Sequence, residues 1–432
     1  MRLSLIVVTS ASVLLSSVSA AFAADPTFYK DVLPILQSRC QECHRPGELG
    51  PMALQTYKQT RPYAASIKEQ VLQRQMPPWD ADPKVGHFAN DRSLTQAEID
   101  TLSSWATSGA KEGKPADAPP PRKFLDGWNI EKPDLEIKTP KPIHIPATGS
   151  VEYQYVVIPT GFTEDKWVRM AEVRPTVRGV VHHAVVFVRE PGNKWLRGEA
   201  EPGVPFSTAD GAKRGDTGGL GSDVLLAYTP GMIPEIWGEN QARMIPAGSD
   251  LVVQLHYTPN GKAVDDQTTI GLVFAKTPPK EHILSVFVST TNFEIPPGDP
   301  NYEVVSRYTF RNPAVITQLF PHMHLRGKDF EYRVIFPDGR TESILRVPKY
   351  RFNWQLSYRL EKPLAVTPGT RVECIAHFDN SPNNPYNPDP KAAVHFGEQS
   401  QEEMSVGFID VAIDAAMTRR QFQAPPRKSG AQ

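Results

Sequence analysis

Two groups of residues in this sequence are spaced for redox or metal chemistry. The first is Cys40-Gln41-Glu42-Cys43-His44, a C-x-x-C-H run. Two thiols at this spacing can add to the two vinyl groups of a haem, and the adjacent imidazole then reaches the iron. A thioredoxin-like C-x-x-C would follow a strand in a βαβ unit, whereas the flanks here read as helical. A zinc knuckle would need a second Cys/His pair close by, and none follows. The run therefore predicts one covalent haem c held by Cys40, Cys43 and His44. The sixth iron ligand must come from downstream. Met76, in Met76-Pro77-Pro78-Trp79, is the choice, because the prolines stiffen the loop behind the sulfur and a Met/His pair raises the haem potential. Met52 and His87 are its competitors.

The second group is drawn from the eleven histidines. Five fall in three short β-rich contexts: Val181-His182-His183-Ala184, Gln254-Leu255-His256-Tyr257 and Pro321-His322-Met323-His324. Residues two apart on a strand share a face, so His322 and His324 can hold one ion while Met323 points away. His182 and His183 point opposite ways on a regular strand. Both reach one ion only if the backbone bulges or the strand ends there. A lone histidine in an apolar strand is more often a hydrogen-bonded core residue, and only the three contexts together point to metal. Imidazole suits copper and a thioether suits Cu(I), but three histidines also make a zinc site.

In this order, HH, then HY, then HxH, the chain resembles the type II copper, ascorbate-dependent monooxygenases, which include the peptidylglycine- and dopamine β-hydroxylating enzymes. That family's last ligand is a methionine in an E-M context, here Glu403-Met404. The resemblance covers roughly residues 130–420 and implies two coppers per chain. One would be held by His182, His183 and His256, the other by His322, His324 and Met404. It implies dioxygen activation and C–H hydroxylation at the second site, with the first supplying an electron. Gln254 also fits the pattern. The residue two before HxH is Phe320 where peptide-hydroxylating members carry an arginine, and Val406 and Phe408 replace polar residues after the methionine. A glycine-extended peptide is therefore not the expected substrate; a more apolar small molecule is. The family's animal members rely on several disulfides, which three cysteines cannot supply when two are committed to haem.

The elements that must position these residues change character along the chain. An Arg2 start, the apolar run Leu3–Leu15 and Ala21-Phe22-Ala23 read as a signal peptide over 1–23, so the expected location is periplasmic or secreted. Residues 24–115 show helical spacing: Tyr29, Val32, Leu33 and Leu36; then Ile67, Val71 and Leu72; then a capping box at Thr95–Glu98 opening a helix with Ile99, Leu102 and Trp105, closed by Gly109. This part resembles a small cytochrome c domain. A proline-rich linker spans 116–130, the run KEGKPADAPPPRK at 111–123 entering it. Beyond it, short β-rich segments alternate with turns such as Pro337-Asp338-Gly339. These suggest one very large β-domain or two antiparallel, jelly-roll-like sandwiches. We take the latter, over 131–279 and 280–420, with the seam at Thr277-Pro278-Pro279-Lys280 and a disordered tail over 421–432. The 42 prolines among 432 residues, about double ordinary usage, argue against a helix bundle.

Lys+Arg 47 against Asp+Glu 48 leaves no basic field for nucleic acid, and no later apolar stretch is long enough to span a membrane. The expected function is a haem- and copper-containing monooxygenase acting on a small molecule with O2. The haem domain would relay electrons, with ascorbate or a redox protein as an outside donor. The rivals are a copper-binding electron carrier and a structural β-protein with incidental histidines.

Overall fold

The computed structural model describes residues 25–124, 127–198, 201–207 and 222–425. The segment 1–23 lies outside them. The protein is mostly β, with short helices confined chiefly to its first hundred residues.

The helices are Leu33–Arg39, Tyr57–Thr60, Ala64–Leu72 and Gln96–Thr107, with a π-turn at Phe28–Val32. The Thr95 hydroxyl accepts from Glu98 N and the Glu98 carboxylate accepts from Thr95 N, so the capping box fixes where the longest helix starts. Phe28, Leu36, Leu102 and Trp105 are fully buried in one cluster. Leu72 is an exception to the expected apolar stripe: it is 53% exposed while Val71 takes the buried position. The proline-rich stretch does not hang free. Lys111 O accepts from Phe28 N and from the Trp105 indole, and Arg122 donates to Gln37 O.

The strands form two layered stacks that share one long sheet. Its order is Leu135–Lys138, Thr269–Phe274, Lys166–Arg174, Gln241–Ile245, Glu281–Ser289, Val406–Asp414, Ala314–His322 and Tyr358–Val366. One end of this sheet packs across a core of Val168, Ile270, Leu251 and Leu255 against the five-stranded sheet carrying Gln154–Pro159, Asp250–Tyr257 and Val181–Arg189. The other end packs across Leu284, Ile316, Phe330 and Val372 against the four-stranded sheet of Tyr302–Thr309, Arg371–Phe378, Gly327–Ile335 and Thr341–Val347. The two stacks meet through a short parallel pairing of Glu281 and His282 with Gln241 and Ala242, an exception to the expected all-antiparallel ladders. Pro278 and Pro279 carry no N–H to donate, so pairing resumes only beyond them.

The tail is ordered further than expected. Arg419–Gln423 is helical, capped by Thr418, and Phe422 is fully buried in the second core; the rest, from 426, lies outside the described residues. Among the described residues no helix is long and apolar enough to cross a membrane.

Candidate functional site

His182 and His183 lie at the start of the strand Val181–Arg189, immediately after a helical turn at Arg178–Val180. Across the ladder His256 pairs with His183 but Tyr257 pairs with Val181, so His182 is the extra residue of a bulge. The bulge turns both adjacent side chains toward His256. Ring centroids are 5.7 Å apart for His182–His183, 5.0 Å for His182–His256 and 5.2 Å for His183–His256. One ring nitrogen from each lies within 4.8 Å of the others. A four-coordinate ion with bonds of about 2 Å spaces its ligand nitrogens about 3.3 Å apart, so small ring rotations close this set on a metal. Asp266 pins both approaches to it. Its buried carboxylate accepts from Thr176 Oγ1 (3.0 Å) and Val177 N (3.0 Å) ahead of the histidine pair, and from Tyr257 OH (3.1 Å) beside His256.

His322 is the last residue of its strand and His324 follows it, with ring centroids 5.1 Å apart. Met323 points the other way and is fully buried in the second core. Another carboxylate holds this end. Glu403 accepts from His324 N (2.9 Å) and Arg326 N (2.6 Å), and burial pushes its own pKa up to about 8. Met404 sits just ahead of the strand Val406–Asp414 rather than on it, and shares a cavity wall with His183 and His322.

The three-histidine set and the His322/His324 pair lie next to one another, and Met404 shares a cavity wall with a histidine of each. His183 and His322 are 6.4 Å apart by ring centroid. Phe352 stacks on His182 at 4.3 Å and lies 6.3 Å from both His256 and His324. Tyr153 covers another side, 4.4 Å from His256 and 5.1 Å from His183.

The electrostatics suit neutral imidazoles. Burial first, then neighbouring histidines, push His182 down to about 4 and His256 to about 3; burial takes His322 to about 4, and His183 and His324 fall well below their usual value. His182 Nε2, His256 Nδ1 and His324 Nε2 are buried with no hydrogen-bond partner. Orphaned buried nitrogens of this kind cost stability unless something binds them. His322 Nδ1 donates to Gln355 Oε1 (2.6 Å) and His324 Nδ1 to Glu402 O (3.1 Å). Oxygen partners that only accept fix the tautomer, leaving each Nε2 with its lone pair for a metal.

The cavity beyond Met404 holds about 50 Å³ and is lined by Phe187, Phe287, Phe320, Phe408, Val185 and Val406, with Glu398, Gln254 and Tyr153 as polar members. Phe320, Val406 and Phe408, singled out in the sequence as departures from the family pattern, all line this wall.

Cys40, Cys43 and His44 line a much larger cavity of about 640 Å³ together with Met52 and Met76. Both thiols are free, and burial raises both, Cys40 to about 12. His44 Nδ1 donates to Met52 O (3.1 Å). A Cβ on Gly50 would stand 2.6 Å from that nitrogen, so glycine there leaves room for the ring. His87 is exposed and off this cavity, its carbonyl accepting from Glu361 N. The far wall comes from the β-region: Arg178, Val181, His182, Asn353 and Trp354.

Sequence reasoning missed the side chains around the ligands: Gln355, Phe352, Tyr153 and Asp266. None carries a motif; of the other residues nearby, Glu403, Gln254, Phe320, Val406 and Phe408 stand out in the sequence only through the family pattern. His144, His377 and His395 sit apart, each facing an acidic side chain (Asp265, Asp329, Glu294).

No protein-family model matches the chain, and no curated protein does. Among solved structures it is similar to the infectious bursal disease virus VP2 subviral particle, at 9% identity over 69% of this chain and 76% of that one, TM-score 0.19. It is also similar to PNGF-II in its P21 form, at 12% over 68% and 62%, TM-score 0.23, and to the R92A mutant of Bacillus subtilis oxalate decarboxylase, at 8% over 67% and 82%, TM-score 0.13. At these scores the likenesses carry no argument about fold or function.

Proposed function

We propose that the protein is an exported copper monooxygenase with its own haem electron donor, hydroxylating a C–H bond of a small apolar molecule with O2. The observation that carries this is the shared wall. His182 belongs both to the buried three-histidine set and to the lining of the cavity that holds Cys40, Cys43 and His44.

The residues fit the implied groups. The large cavity falls within the size of cofactor pockets, roughly 300–1,000 Å³, and is mostly apolar. Arg39 and Arg178 on its wall, paired in this structure with Glu98 and Glu48, are the cations nearest to where a haem's carboxylates would lie. Cys40 and Cys43 would carry the haem and His44 and Met76 would hold its iron, with Met52, whose carbonyl accepts from His44 Nδ1, as the competing thioether on the same wall. The histidines and Met404 present soft donors suited to copper, and the thioether favours copper over zinc. Copper would supply one-electron chemistry and dioxygen activation, and the haem a stored electron. Gln355 and the Glu402 carbonyl hold the ligand rings in one tautomer. Asp266 and Glu403 hold the backbone beneath them. Phe320, Val406 and Phe408 keep water from the reacting position and favour an apolar substrate. The segment Phe352–Gln355 links the two regions: Asn353 and Trp354 face the large cavity, Phe352 stacks on His182, and Gln355 bonds to His322.

The test is substrate-stimulated O2 uptake by protein carrying haem and copper. Met404→Ile is expected to abolish it with haem absorbance intact. An unchanged rate removes Met404 from the chemistry, and copper binding with no uptake across a substrate screen supports the electron carrier instead.

A further inference from the structure

Where the two stacks join, a cluster of charged side chains lies inside the protein, apart from the histidines. Arg243, on the strand Gln241–Ile245, donates from Nη2 to Asp410 Oδ1 (2.6 Å), and its Nη1 stands 3.6 Å from Asp223 Oδ1. Ser285 supports both carboxylates, its hydroxyl donating to Asp410 Oδ1 (2.7 Å) and its N–H to Asp223 Oδ1 (3.1 Å). The third carboxylate, Glu235, is held less closely. Gln318 Nε2 donates to it (3.1 Å) and reaches Asp410 Oδ2 at 3.3 Å, while the cation beside it, Arg359, is 3.7 Å away and 32% exposed. Three carboxylates thus face two guanidiniums where little water screens them. The charges balance when one carboxylate carries a proton, and the loosely paired Glu235 is the one that takes it.

We propose that Glu235 is a proton-transfer residue, which takes protons from the haem side of the molecule and passes them toward the cavity that Met404 lines. This rests on the function proposed above, because hydroxylation consumes protons: R–H and O2, with two electrons and two protons, give R–OH and water.

The position of Glu235 carries the inference, because it lies on the walls of two cavities. One, of about 60 Å³, is also lined by Glu42, Cys43 and Glu48, and the Glu42 side chain is 40% exposed, so this side reaches solvent. Glu172, Arg178 and Tyr228 face Glu235 from this side. The other, of about 40 Å³, is lined by Arg243, Ser285, Gln318 and Asp410, and it shares Val185, Ala227, Phe320 and Phe408 with the cavity beyond Met404. Arg243 Nε and Nη1 are buried with no hydrogen-bond partner. A water needs roughly 10–15 Å³ and two or more polar partners, so this cavity has both the room and the donors for one. Burial, and then Asp410, raise the pKa of Glu235, which keeps its proton at hand. In the transfer the Glu235 O–H bond breaks, and the proton passes by way of such a water to an oxygen atom of O2 that leaves as water. The carboxylate left behind regains a proton from solvent through the first cavity. The electrons come from the haem and the metals, replenished by the outside donor.

The test uses the full-length protein with haem and copper, and Glu235→Gln, which keeps the shape and still accepts from Gln318. The infrared difference between wild type and variant is expected to show the C=O stretch of a buried carboxylic acid, shifted in D2O and missing from the variant. Substrate-stimulated O2 uptake is expected to fall about 100-fold in the variant, the lower end of what a positioned acid supplies, with copper content and haem spectrum unchanged. Glu235→Asp should recover part of the rate. Wild-type uptake should decline as pH rises through the Glu235 pKa, and that decline should vanish in Glu235→Gln. An absent carboxylic-acid band, a wild-type rate and pH profile in the variant, or a rate lost together with the copper overturns the proposal. No uptake by the wild type with any substrate removes the oxygenase reading and proton delivery with it, whereas wild-type uptake that Glu235→Gln leaves intact removes the proton role alone.

Discussion

Replacing Gln355 with leucine should weaken metal binding at the His322/His324/Met404 set without unfolding the protein. The Gln355 side-chain oxygen accepts from His322 Nδ1 at 2.6 Å, and the residue is 2% exposed. In metal-free protein the ring can move its proton to Nε2 and escape the loss. A metal on Nε2 forbids that, so the cost falls on the bound state. An unsatisfied buried donor costs about 1–3 kcal/mol. At about 1.4 kcal/mol per decade this is roughly 5- to 150-fold in affinity, in line with the 10- to 100-fold typical of partners behind metal-bound histidines. Anaerobic competition for Cu(I) against a chromophoric chelator measures it directly. The expected titration shows one ion held as in the wild type and one weakened to this extent. His377→Ala removes a comparable bond to Asp329 (2.7 Å) away from the site and should change nothing. Wild-type affinity for both ions in Gln355→Leu would refute the assignment of His322 as a ligand through Nε2.

Three further outcomes follow from the same geometry. Arg243→Met strips the buried partner of Asp410 (2.6 Å) and Asp223 (3.6 Å) where the two stacks join, and should cost about 3–5 kcal/mol, read as a lower midpoint in urea; an unchanged midpoint would show that the seam does not depend on it. In metal-free protein, His182, His256 and His322 titrate at about 4, 3 and 4 when folded, against about 6.5 unfolded. Their contribution is therefore complete above pH ~6.5 and lost as pH falls toward 4, because the unfolded chain takes up protons that the fold refuses. Thermal melts should fall across that window, and a flat profile would contradict neutral buried rings. Met76→Leu should lower the haem midpoint potential in a redox titration, whereas an unchanged potential would transfer the ligand role to Met52.

Much of the site was legible because its chemistry is written in short motifs. C-x-x-C-H, HH and HxH each specify residue type and spacing, and the period-two rule already turned Met323 away from its flanking histidines. The bulge at His182 was implied once both histidines were asked to face one ion. What was not legible depends on long-range packing. Gln355 and Phe352 act through partners 33 and 170 positions away, and Asp266 through Thr176 and Val177, 90 and 89 positions away. A strand such as Tyr358–Val366 shows no clean alternation, because a proline and charged residues interrupt it. The approach of the two histidine sets follows from the shared sheet, and no local pattern records which strands lie side by side. The ordered end at Phe422 was missed because one apolar residue in a polar stretch gives no periodic signal.

The central claim, that a haem and the histidine-bound metals act as one electron-transfer unit across the wall at His182, is tested most directly by stopped-flow mixing with O2. Fully reduced protein is prepared with copper loaded and with copper removed, and haem oxidation is followed by absorbance. The account predicts rapid haem oxidation only when copper is present, keeping pace with O2 consumption. Equal haem oxidation rates in the two preparations would contradict it.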